Sequence, residues 1–124
     1  CRFDKILPLF ERERLSDDET EAAMLAARVN ESERKPSTEA LFHAYLLTLP
    51  EVGFVGHTHP VHVNGVLCSP RAREYSKRRL FPDQIVCCGT EDVFVPYVDP
   101  GVPLAREIRR AVQEWMARHE KTPR

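Results

Sequence analysis

Phe54-Val55-Gly56-His57-Thr58-His59-Pro60-Val61-His62 is the stretch on which the reading of this chain turns. An apolar run reaches two histidines spaced i, i+2 and stops at a proline. On an extended backbone, side chains at i and i+2 project to the same side. His57 and His59 can therefore address one point, and neutral imidazoles meeting at a point suit a divalent metal. Paired histidines also occur on ordinary surfaces, so this spacing alone leaves both readings open. Val52 to His57, short, apolar and punctuated by glycine, reads as a buried strand.

Upstream, Pro36-Ser37-Thr38-Glu39 opens a helical pattern that runs to Leu49, with Leu41, Ala44, Tyr45 and Thr48 on one stripe. Pro50 follows its end. Glu39 stands in the first turn of this helix, and the helix leads directly into the histidine segment. Its carboxylate can thus return to the point that His57 and His59 address. Two imidazoles and one carboxylate leave positions for a substrate oxygen, as a catalytic zinc site does. The rival reading of Glu39 is a carboxylate stabilised only by the helix dipole. Ser37 and Thr38 place hydroxyls at the helix start, where outward N–H groups suit a phosphate; capping by Ser37 explains part of the same feature. His62 reads as a supporting group or an exposed helix residue, His43 as a partly buried histidine, and His119 as terminal and solvated.

Further out, Cys1 to Glu11 is an apolar cluster broken by Pro8, a short helix or turn whose partners are expected outside the sequence. Ser16-Asp17-Asp18-Glu19 is a helix start with Ser16 as N-cap and Glu19 in the capping-box position. Ala22, Ala23, Leu25, Ala26 and Val29 form the apolar face of that helix. Pro60 predicts a helix over Val61 to Leu67, and Ser69-Pro70 starts another with a basic face, Arg71 to Arg79, that reads as solvated or as a subunit contact. Phe81-Pro82-Asp83 is a turn. Gln84 to Cys88 is strand or buried helix, and Val93 to Val98, interrupted by Pro96, is an edge strand or bulge. Asp99-Pro100-Gly101 is a turn before an amphipathic helix over Val102 to His119, and Lys121 to Arg124 should fray. Strands mixed with helices imply an α/β arrangement with a helix-flanked sheet.

The 124 residues form one domain at most. A formal charge of −1 gives no field favouring nucleic acid or anionic membranes. No apolar run approaches the roughly 18 residues of a membrane span, and no signal peptide is evident. The chain begins at Cys1, so the start of the gene product is expected upstream. Cys1, Cys68, Cys87 and Cys88 include no CxxC pair, which predicts buried, reduced thiols in a cytoplasmic protein.

Pro36-Ser37-Thr38-Glu39, His43, Leu49-Pro50-Glu51-Val52 and Val55-Gly56-His57-Thr58-His59-Pro60, followed by Val95-Pro96-Tyr97, Pro100-Gly101 and Leu104-Ala105, closely resemble the class II aldolase/adducin family. The resemblance runs from about Cys1 to about Met116. It implies an α/β fold, a mixed and largely antiparallel central sheet sandwiched between helical layers, commonly assembled as a C4 homotetramer. It implies a Zn2+ site, or one for Mn2+, Co2+ or Fe2+, with His57, His59 and Glu39 as ligands. Glu39 matches the catalytic acid/base carboxylate, and Ser37 and Thr38 match the pair that holds the substrate phosphate. Residues 1–124 would then be a partial domain, lacking the family's N-terminal strands and the later segment that carries a third metal histidine. The implied activity is aldolase-type cleavage of a small sugar phosphate or hydroxy-carbonyl compound through an enediolate. Epimerase or dehydratase chemistry, or an adducin-like assembly role, are the alternatives.

Overall fold

A computed structural model describes residues 1–123. They contain seven α-helices and one 3-10 turn, and no strand among the described residues. The expected central sheet is therefore corrected: this is not an α/β fold with a central sheet. The reason lies in what a strand requires. Val52–His57 and Val93–Val98 have β-branched and apolar composition, yet a strand exists only through ladder hydrogen bonds to a neighbour. Both runs lie outside any regular element. The third candidate, Gln84–Cys88, is helical.

The chain divides into two compact units, one from Cys1–Val55 with Tyr97–Arg110, the other from Gly56–Pro96 with the stretch from Ala111 onward. In the first unit, α1 (Phe3–Ile6) and a 3-10 turn (Leu7–Glu11) come first. Contrary to expectation, the apolar residues of this segment find partners within the chain. Ile6 is 0% exposed, Leu9 and Phe10 are buried, and α1 packs on α2 (Asp17–Ala26) and α3 (Ala40–Leu46). The Arg2 backbone N–H donates to the Ala27 carbonyl at 2.8 Å. Arg106, from the last helix, donates to the carbonyls of Phe10 and Glu13 at 3.0 and 3.4 Å.

α2 begins as its sequence predicts. The Ser16 hydroxyl accepts from the Glu19 N–H at 3.2 Å, and the Glu19 carboxylate accepts from the Ser16 N–H at 2.9 Å. Its buried stripe differs from the expected one. Met24 and Ala27 are buried, while Leu25 and Val29 are exposed. α3 is shorter than predicted: Ser37–Glu39 form the turn before it, with the Ala40 N–H donating to the Ser37 carbonyl at 3.0 Å. Leu41, Ala44 and Tyr45 are buried as their spacing required, whereas Thr48 is exposed. After Pro50, Glu51 takes a left-handed conformation with φ 66°, unusual for a residue with a side chain.

The second unit contains α4 (Val61–Leu67), α5 (Ala72–Lys77) and α6 (Pro82–Cys88). α4 follows Pro60 with the predicted bounds. The expected turn at Phe81-Pro82-Asp83 is instead the start of α6, because Pro82 at the first helical position has its φ already set. Neither α4 nor α6 has a buried residue. The unit is tied by Arg79, whose side chain is 5% exposed and donates to both Asp92 carboxylate oxygens at 3.0 and 2.9 Å and to the Gly89 carbonyl at 2.7 Å. The basic run is thus only partly a solvated face. All four cysteines are exposed thiols, which corrects the expectation that they are buried.

α7 (Val102–His119) has the predicted bounds. Val102 and Ala105 are buried in the first unit, and Ala111, Val112 and Trp115 in the second. Fraying was expected over Lys121–Arg124, of which Arg124 lies outside the described residues. Lys121 places its Nζ 5.8 Å from the centre of the Trp115 ring.

Candidate metal centre

His57 and His59 lie on an extended segment that ends at Pro60, the N-cap of α4. Their ring centroids are 4.7 Å apart, tilted by 32°, so the i, i+2 spacing does bring both imidazoles to one side. Both residues are exposed. Glu39 is the N-cap of α3, partly buried, and makes no side-chain cap bond to that helix.

Among the described residues, Glu39, His57 and His59 form a group that could hold a metal ion, one ligand atom from each lying within 4.8 Å of the others. The donor set fits a divalent ion. A carboxylate with two imidazoles matches the borderline-hard donors of a catalytic zinc, manganese, cobalt or iron site.

Ser37 and Thr38 are exposed and stand just before Glu39 in the turn that begins α3. Thr38 lines a cleft of about 520 Å³ in the first unit, together with Arg14, Thr20, Gly101 and Arg106. His62 is exposed, one residue into α4, and outside the metal group. His43 is partly buried with its ring edge-on to Phe42, 4.5 Å between centroids. His119 is not simply solvated. Its ring stacks on Trp115 at 4.0 Å, Nδ1 lies 2.8 Å from the Trp115 carbonyl, and Nε2 lies 3.1 Å from a Glu91 oxygen. The contact to Trp115 was available from the i, i+4 spacing on a predicted helix; the contact to Glu91 had no sequence signal.

Shifted titrations occur away from this group. The Ser16 N–H, with Arg12 beside it, holds the Glu19 carboxyl below the usual carboxylate range. Burial pushes the Tyr45 phenol up. No described helix is long and apolar enough to cross a membrane.

Comparison with known proteins agrees with the motif. The chain is 28% identical over 111 residues to the uncharacterized oxidoreductase YuxG of Bacillus subtilis (strain 168), an alignment covering 90% of this chain and 14% of that protein. It therefore spans about a seventh of the length of that relative. No solved structure matches. Residues 13–121 match the class II aldolase and adducin N-terminal domain, and the chain belongs to that family.

Proposed function

We propose that the chain belongs to a metal-dependent carbon–carbon lyase of aldolase type, acting on a small sugar phosphate or related hydroxy-carbonyl compound. The observation that carries this reading is the group of Glu39, His57 and His59 in a chain of this family. A divalent metal bound there would supply Lewis-acid stabilisation of the negative charge that develops on the substrate oxygens during cleavage.

His57 and His59 would hold that ion through imidazole nitrogens, with Glu39 beside them. Glu39 moves the proton. Its carboxylate accepts the proton of the substrate hydroxyl borne by the carbon at the far end of the bond to be broken. That C–O bond becomes a carbonyl, and the C–C bonding pair passes to the fragment that already carries one. Glu39 then returns the proton to the carbon of that fragment. Ser37 and Thr38 donate their hydroxyls to the substrate phosphate and fix its orientation. The reading places the protein in the cytoplasm as a homotetramer with a small molecule as its partner.

YuxG carries the name oxidoreductase. This chain answers to 14% of that protein, and hydride transfer is not carried over from the name. The rival of a different class is assembly without catalysis. Metal analysis of the purified protein separates the two. Stoichiometric zinc or manganese, lost in His57→Ala, is expected, together with cleavage of at least one member of a ketose- and aldose-phosphate panel that Glu39→Gln abolishes. A protein that oligomerises while holding no metal and cleaving nothing on the panel returns the assembly reading.

A further inference from the structure

His119 presents both ring nitrogens to acceptors. Nδ1 faces the Trp115 carbonyl at 2.8 Å, and Nε2 faces a Glu91 carboxylate oxygen at 3.1 Å. A carbonyl cannot donate, and neither can an ionised carboxylate. A neutral imidazole has one N–H, so it satisfies one contact and turns a bare lone pair toward the other oxygen. Both contacts are made only when the pair holds one proton more than a neutral imidazole and a carboxylate. The side chains of His119 and Glu91 are 26% and 27% exposed, so water reaches the pair and protons exchange readily.

The neighbouring acid has a different partner. Asp92 is bound by Arg79, a permanent cation, which also holds the Gly89 carbonyl at 2.7 Å. The Asp92 N–H further donates to the Ser76 carbonyl at 2.8 Å. The segment 89–92 is thus held on one side to α5 and the loop after it, by Ser76 and Arg79, and on the other to the last turn of α7 by His119. We propose that 89–92 is a clasp with one permanent pin and one proton-dependent pin. The last turn of α7 is held to it when the pair is protonated and released as pH rises through the range of about 5 to 8 in which imidazoles titrate. The other charges near the pair are Asp92, matched by Arg79, and Lys121 beside the Trp115 ring; Arg118 and Glu120 flank His119 on the chain, with Arg118 donating to the Glu114 carbonyl. Lysine, arginine and carboxylate side chains ordinarily keep their charge across that interval. The thiols of Cys87 and Cys88 at the end of α6 face solvent.

Amide hydrogen exchange over the last turn of α7, corrected for intrinsic exchange, tests this at pH of about 5.5 and 8. Wild-type protein should lose several-fold protection at the higher pH. Glu91→Gln should not, because a carboxamide can accept from a protonated Nε2 or donate to a bare one. Ring 15N NMR of wild-type His119 at the lower pH should show a proton on each nitrogen. Equal protection at both pH values, an undiminished loss in Glu91→Gln, or a bare ring nitrogen at the lower pH overturns the clasp.

Discussion

Ile6, Met24 and Leu41 are the largest fully buried side chains, and all three belong to the unit formed by Cys1–Val55 and Tyr97–Arg110. In the other unit the buried residues are Ala72, Ser76, Ala111, Val112 and Trp115, while Val61, Leu80, Phe81 and Val86 lie open to solvent. One unit rests on packed hydrocarbon. The other buries one large apolar side chain, Trp115, and is fastened by directed polar contacts, chiefly Arg79 with Asp92 and His119 with Glu91. Hydrocarbon packing is distributed over many small contacts, whereas a polar fastening fails when one partner is removed.

Substitutions can break that contrast in order of size. Leu41→Ala should cost about 2–5 kcal/mol, a large share of the stability of a small domain, read as a lower denaturant midpoint by far-UV circular dichroism. Arg79→Met should cost about 1–3 kcal/mol, less than a fully buried pair because Asp92 is 39% exposed. Trp115, the one tryptophan in the chain, lies in the same unit as Arg79 and should report that loss by its fluorescence. An equally large effect from Val86→Ala, an exposed position, would erase the distinction between the units. Ser16→Ala should cost about 1 kcal/mol, measured by the same denaturation.

The smallest effect concerns acid. The carboxyl of Glu19 is depressed in the folded chain, first by the Ser16 N–H and then by Arg12. Its contribution is therefore present above the ordinary carboxylate range and disappears as pH falls through the lowered folded value. Glu19→Gln should flatten the acid limb of the stability–pH curve. An unchanged limb removes Glu19 from the account.

Legibility in the sequence followed the range of the interactions. α7 was readable at both ends because its apolar spacing and the Asp99-Pro100-Gly101 turn are local. The Ser16–Glu19 capping box was readable for the same reason. The i, i+2 histidines were legible as a pair because extended backbone alone sets that geometry. What misled was composition without partners. Val52–His57 and Val93–Val98 look like strands, but pairing is a property of two segments, and neither run makes one. Pro82 was ambiguous between a turn and a first helical residue. The Leu9–Phe10 cluster looked unpartnered because its cover, Arg106 and Arg109, is supplied from nearly a hundred positions away.

Glu51, with its φ of 66°, leaves a mark of its own on the corner after Pro50. A side chain in that backbone region carries strain of about 1 kcal/mol that glycine would not. Glu51→Gly would relax the corner and also loosen it, since glycine has more unfolded conformations to surrender. The passage from the helix behind Glu39 to the segment of His57 and His59 is thus made through a residue of unfavourable handedness, a corner that the chain turns at some cost.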